Sequence, residues 1–412
     1  MNIITLNKTR NSIIPLHDNG NLWQMKYTEL PRVWGMRFNE LTGTLERVGY
    51  LKNIPLATKP PEGMLPIHSL MRRCVVNDAG IIQYYLSTTN SAYKEDGITA
   101  SVLTGADGQV VVEIPDYYYR YHWAGNVHTW LMSDEPYDGF EYQPKLYVGA
   151  YPGVIQKSGI YTDGTGSSQY ATGDKLSSVS GKKPVVYSTR AVFRTMAANR
   201  SAIFSQLDNL AWHRIFTMLF IEYGSWDSQA VVGAGNTSFA TWDYATCIGA
   251  TGKSNALGNL SGGANTSGGA ITDYVSYRGI EDFWGNLWQF IDGFNINNDG
   301  TSSKVYICDN HLLYADDTAT NYTYVGDAAP TDGYGERLIN SSRIIMPSKV
   351  GTNNIKDYYW TEFDTAPSGG WRLALLGSYA HSGGAAGAGC VYASYASSAA
   401  YAYFGGRLKL NI

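Results

Sequence analysis

Two short stretches carry residue types that could do chemistry. In CIGATGKS, residues 247–254, glycines, a lysine and a serine stand close to the spacing of a phosphate-binding loop, whose backbone N–H groups cradle an anion. Cys247 occupies the first glycine's place, and Gly/Ser-rich sequence follows where a helix should begin, so no nucleotide site is expected. In NINNDG, residues 295–300, Asn295, Asn297, Asp299 and Gly300 are spaced like the start of a calcium loop. Tyr306 stands where the bidentate glutamate belongs, and an Asn/Asp turn is the better reading. The seven histidines make no metal-ligand spacing, and His122 and His128, flanking a turn, read as surface or cross-strand residues. No Gly-x-Ser-x-Gly elbow is present. We expect no enzyme, no catalytic residue, no metal ligand and no cofactor, with a structural calcium left open.

The elements that would position any site are partly legible. MRRCVVNDAGIIQYYL, 71–86, reads as two strands around an Asn-Asp-Ala-Gly turn. A strand over 107–114 ends at Pro115, and aromatic strands follow around Gly125-Asn126, a dipeptide suited to a tight hairpin. Phe204, Leu207, Leu210, Ala211, Ile215, Met218 and Leu219 follow three-and-four spacing and predict a core-facing amphipathic helix ended by Gly224. The first sixty residues read as irregular, with a linker or domain edge at 56–66, and 233–270 as a long surface loop.

Composition bounds the rest. Charged residues make up only 16% of the 412, and Gly (45), Tyr (32) and Trp (11) are heavily used, which suits a loop-rich, aromatic-studded β or α+β protein. A net charge of -4 gives no reason to expect nucleic acid or an anionic membrane as partner. The start lacks a signal-peptide pattern and no apolar run reaches membrane-span length, so no membrane insertion is expected. Cys74, Cys247, Cys308 and Cys390 are too scattered for a disulfide framework or a zinc ribbon.

Four landmarks occur in a telling order: the helix at 207–224, YRGIEDFWGNLWQFIDG at 277–293, SGGWRLALLGSY at 368–379, and YFGGRL at 403–408. Together they resemble the C-type-lectin-like fold, in the branch that contains formylglycine-generating enzymes. Gly285, Asn286 and Trp288 carry the second landmark, and Gly369, Gly370, Trp371 and Arg372 the third. Those enzymes depend on a cysteine pair close in sequence near the C-terminal segment, whereas Cys390 is the only cysteine after Cys308, so their oxidase chemistry is not expected.

The end of the chain resembles the variable regions written by diversity-generating retroelements of bacteria and phages. In those systems template adenines are copied with errors, so AAY codons become NNY codons. Every residue from 377 to 404 falls within the set that NNY codons encode, and Lys, Glu, Gln, Trp and Met are missing from this window. The family pattern marks Tyr379, His381, Ser382, Ala385, Cys390, Tyr392, Ser394, Tyr395, Ala399, Tyr401 and Tyr403 as ligand-binding, diversified positions. Tyrosine gives rigid, amphipathic contact area, and Ser, Gly and Ala let a backbone adapt, as in antibody paratopes. The expected anchors are exposed Tyr392, Tyr395, Tyr401 and Tyr403, with Trp371, Leu373, Leu375, Phe404 and Leu408 holding the core.

Upstream, LPIHSLMRRCVVND and VEIPDYYYRY resemble tail-associated proteins of phages and prophages from gut bacteria. The combined resemblance implies an α+β chain: a β-rich attachment and oligomerisation region at 1–95, then a C-type-lectin-like domain at 96–412 with its variable segment at 377–404. It implies a receptor-binding protein at a phage tail tip, made in the host cytoplasm and carried on the virion tail. The implied partners are a bacterial surface receptor, protein or glycan, other phage tail proteins, and two further copies in a homotrimer. A bacterial surface-displayed binding protein is the nearest alternative, and an oxidase of the formylglycine-generating type is an alternative of a different class.

Overall fold

The computed structural model describes residues 32–351, 354–361 and 369–411. The chain start and Ser368, used in the sequence reading, lie outside them.

Local signals become elements where side chains close the turns. Arg72–Val76 pairs antiparallel with Ile82–Tyr85, and the Asn77 side chain accepts the N–H groups of Ala79 and Ile81 between them. Gln109–Ile114 is buried along its whole length and stops before Pro115, which cannot donate to a ladder. The hairpin Tyr117–Ala124/Val127–Ser133 turns on Gly125 (φ 56°) and Asn126 (φ 68°), two left-handed residues as a type I′ turn requires. His128 in its second strand is buried, its two ring nitrogens 2.8 Å from the Tyr121 hydroxyl and 3.1 Å from a Glu40 carboxylate oxygen. It is a cross-strand histidine, as expected, but a buried one rather than a surface one.

The segment read as irregular contains a second hairpin, Val33–Asn39/Thr44–Gly49, docked on Val127–Ser133 to build a five-stranded sheet. Residues 56–66 are not a loose linker. The buried Arg47 guanidinium donates to Pro55 O and Thr58 O on that side and to Ile221 O and Glu222 O on the other.

The helix Asn209–Tyr223 starts on Asp208, whose carboxylate accepts the Ala211 N–H, and ends at left-handed Gly224 (φ 63°). It is not amphipathic: all its residues but Leu210 are buried. Its charged side chains are satisfied inside, with Glu222 held by Arg278 at 2.6 and 2.9 Å and Arg214 donating to Pro144 O and Gln143. Paired charges can be buried where lone ones cannot.

Strand takes 35% of the described residues and helix 12%, so the β-rich character runs through the described chain and is not confined to an N-terminal region. A six-stranded sheet runs in the order Phe204–Gln206, Leu408–Leu410, Leu146–Gly149, Gln109–Ile114, Arg72–Val76, Ile82–Tyr85. It joins strands from both sides of position 95. One apolar cluster extends from Trp34 through the long helix to Ala393. The site rests on a larger sheet, in which Trp288–Asn298 pairs with Gly370–Leu376, which pairs with Val391–Tyr392, which in turn pairs parallel with Ile355–Trp360.

Candidate ligand-binding face

Residues 233–270 prove to be a support of this face. Tyr244, Cys247 and Ile248 are buried with Val186, Leu287 and Ala380. The loop that imitates a phosphate cradle is filled from within: the Glu281 carboxylate accepts from Gly252 N at 2.8 Å, Ser254 N at 2.7 Å and the Ser254 hydroxyl at 2.7 Å. In NINNDG, Asp299 accepts from Thr301 N and Ser302 N, the expected turn.

The window 377–404 is fastened by its backbone to residues outside it. Ala380 N donates to Asn286 O, Gly383 N to Thr237 O and Ala393 N to Trp360 O; Tyr187 N donates to Tyr401 O and Trp288 N to Tyr403 O, all between 2.8 and 3.1 Å. Framework side chains add to these. Gln229 donates to Gly383 O and Ala386 O, the Ser228 hydroxyl accepts from Ala388 N, and Asp357 accepts from Gly389 N. None of these bonds uses a window side chain. Window side chains also reach out, among them His381 Nδ1 to Phe239 O at 2.6 Å and the Ser397 hydroxyl to Asp317 at 2.5 Å.

The far end is tied by Arg407. Fully buried, it donates to Gly149 O, Glu281 O, Asp282 O and Gln289 Oε1, and burial lowers its pKa to about 10. A Cβ on Gly406 would stand 2.7 Å from the Phe193 ring, which explains the Gly-Arg pair.

The side chains then sort themselves. Tyr379, Tyr392, Tyr395 and Tyr403 gather around a depression of about 350 Å³ with His381, Ser382 and three tryptophans, Trp242, Trp288 and Trp360. Ring centroids are 5.0 Å apart for Tyr392–Tyr395, 5.3 Å for Tyr401–Tyr403, Tyr379–Tyr403 and Trp242–Tyr379, and 5.8 Å for Trp360–Tyr392. The Tyr395 and Tyr403 hydroxyls are 3.1 Å apart, and burial together with that contact pushes the Tyr395 pKa up, so the phenol keeps its proton. Of the four expected anchors only Tyr401 is exposed, at 41%; the other three are half-buried because the rings lean on one another.

Three further expectations are corrected. Cys390 (0% exposed) and Ser394 (4%) lie beneath the face, not on it. Burial raises the Cys390 thiol well above its ordinary value, with Asp357 adding to the shift. Trp371, expected in the core, is half-buried against Tyr306, whereas Leu373, Leu375, Phe404 and Leu408 are buried as expected. Ala385 lies in the short turn Gly383–Ala385 and Ala399 is half-buried against the second apolar cluster; neither lines the depression.

Sequence reasoning missed Trp242, Trp288 and Trp360 as parts of the site. Only the pairing of Ile355–Trp360 with Val391–Tyr392 and the packing of 239–248 under the window bring them there. Among the described residues no three His, Cys, Asp or Glu side chains are grouped to hold a metal, and no helix is long and apolar enough to cross a membrane. No protein-family model and no curated protein matches the chain.

Proposed function

We propose that the chain is a phage tail-tip receptor-binding protein with a C-type-lectin-like display domain, whose window 377–404 is diversified by a retroelement and binds a bacterial surface receptor. The observation that carries this reading is the division of labour in the window. Its backbone is held by framework N–H, C=O and side-chain groups, while the side chains of Tyr379, Ser382, Tyr392, Tyr395, Tyr401 and Tyr403 gather on one aromatic face and take part in none of those bonds. A surface rewritten by mutation needs that arrangement, because a fold that depended on the variable side chains would be lost with them.

The buried, poorly ionised Cys390 thiol is unlike the exposed, low-pKa thiolate of a cysteine oxidase, which supports a binding role over an enzymatic one. Homotrimeric assembly and attachment to tail proteins belong to the same proposal, since several weak sites on one particle multiply into strong adhesion.

Deep sequencing of the 3′ end of the gene across a phage or lysogen population tests the reading. Variation concentrated at the outward codons, with Trp371 and Gly405 to Leu408 constant, is expected. A uniform window would overturn diversification.

A further inference from the structure

We propose that the depression takes a neutral glycan, stacked on the fixed tryptophans Trp242 and Trp360, with the surrounding window residues selecting among glycans. The inference rests on the receptor-binding reading and names its ligand class.

Trp242 and Trp360 lie outside the window and line the depression, and each leans on a window tyrosine, Tyr379 and Tyr392 respectively. Both indoles are half-buried, so each keeps an accessible part. The face of an aromatic ring is electron-rich, and the C–H bonds along one side of a pyranose ring are its electropositive counterpart. Around these platforms stand the hydroxyls of Tyr379, Tyr395, Tyr403 and Ser382, groups that both donate and accept, as sugar hydroxyls do. No Asp, Glu, Lys or Arg lines the depression. A uronate, sialate or phosphate would lose water there and meet no lysine or arginine, only the His381 imidazole already bonded through Nδ1 to Phe239 O.

Shape favours a saccharide over a protein. Protein interfaces are anchored by aromatic or arginine side chains inserted into a partner's pockets. Here the rings are already packed on one another, and only Tyr401 of the tyrosine group is exposed. The volume of about 350 Å³ lies at the lower end of small-ligand pockets. Because the tryptophans are not encoded in the window, every rewritten version keeps the stacking platform. Diversification then changes which sugar and linkage is preferred, while the ligand class stays the same.

The full-length protein should be titrated with short neutral gluco-, galacto- and manno-oligosaccharides and with uronate- and sialate-bearing ones, following tryptophan fluorescence and heat. At least one neutral oligosaccharide is expected to bind, with the acidic ones weaker. Trp242→Ala and Trp360→Ala should each weaken binding about tenfold or more, a loss of about 1.4 kcal/mol. Trp242→Phe and Trp360→Phe, which keep a ring and guard against a folding defect, should retain most of it. Absence of binding to every neutral oligosaccharide overturns the proposal, and so does binding indifferent to both alanine variants. In parallel, adsorption to host envelopes should be abolished by periodate. Adsorption that survives periodate and is lost to protease would overturn the glycan while leaving a receptor-binding protein in place.

Discussion

Two residues that share the window's restricted alphabet have opposite roles. Cys390 is packed under the face and Tyr401 is on it, so alphabet alone does not separate display from support. Cys390→Tyr should cost about 1–3 kcal/mol or more, because a well-packed site cannot take the extra volume, whereas Tyr401→Ser should cost less than about 1 kcal/mol. Equilibrium denaturation of both variants checks the contrast. Asp357, buried beside Cys390, gives a pH signature. Burial holds its pKa well above the ordinary carboxylate value, with nearby Asp227 adding to the shift. The folded state therefore keeps that proton more tightly than the unfolded chain does. The stabilising contribution is complete in acid, below the ordinary carboxylate range, and is lost as pH rises through the raised value. Asp357→Asn, which can still accept from Gly389 N, should be more stable than the parent at pH 8 and indistinguishable from it near pH 3. Comparing denaturation midpoints at those two pH values decides it. The outward positions around the depression were legible because tyrosine and serine in a fixed alphabet leave a mark in sequence. The burial of Cys390 was not, because it depends on neighbours such as Asp357, Phe290 and Leu375 contributed by distant strands.

Among elements, the window behaves as a strap latched at many points along its backbone. Gly387 is one latch that sequence did not reveal: a Cβ there would stand 1.7 Å from Asp357 Oδ1. Gly387→Ala should displace Asp357, break the Gly389 contact and weaken ligand binding even though residue 387 is buried; a thermal melt together with a binding assay measures both effects. Arg407 is the terminal latch. Its removal leaves the carbonyls of Gly149, Glu281 and Asp282 without this donor, at about 1–3 kcal/mol for each one left unsatisfied. Arg407→Ala should lose more than about 3 kcal/mol of stability or fail to fold, with Arg407→Lys intermediate. The helix, the 117–133 hairpin and the 72–85 strand pair were legible because each is specified by residues close in sequence. The helix's burial on nearly all sides was missed because Arg214 and Glu222 suggest a wet face, and their partners Gln143 and Arg278 are remote. The same limit hid the 33–49 hairpin and the packed course of 233–270, whose anchors are single residues such as Tyr244 and Cys247.

At the scale of the whole molecule, most close contacts join residues far apart in sequence, and the last strand makes this plain. Leu408–Leu410 lies inside the six-stranded sheet, between Phe204–Gln206 and Leu146–Gly149, and so joins segments that were made much earlier. A chain stopped after Tyr403 loses that strand, Phe404 and Arg407 together. It should be unfolded by near-UV circular dichroism, not merely unable to bind.

That placement has a consequence for error-prone inheritance. If the window were rewritten by faulty copying, substitution at AAY codons would make no stop, since no NNY codon is one, but a copy with a shifted reading frame would lose everything after the shift. Because the residues that complete the sheet are translated only after the window has been read through in frame, such copies cannot finish folding. The strand Leu408–Leu410 would act as a proofreading mark, letting the cell's proteases discard defective copies.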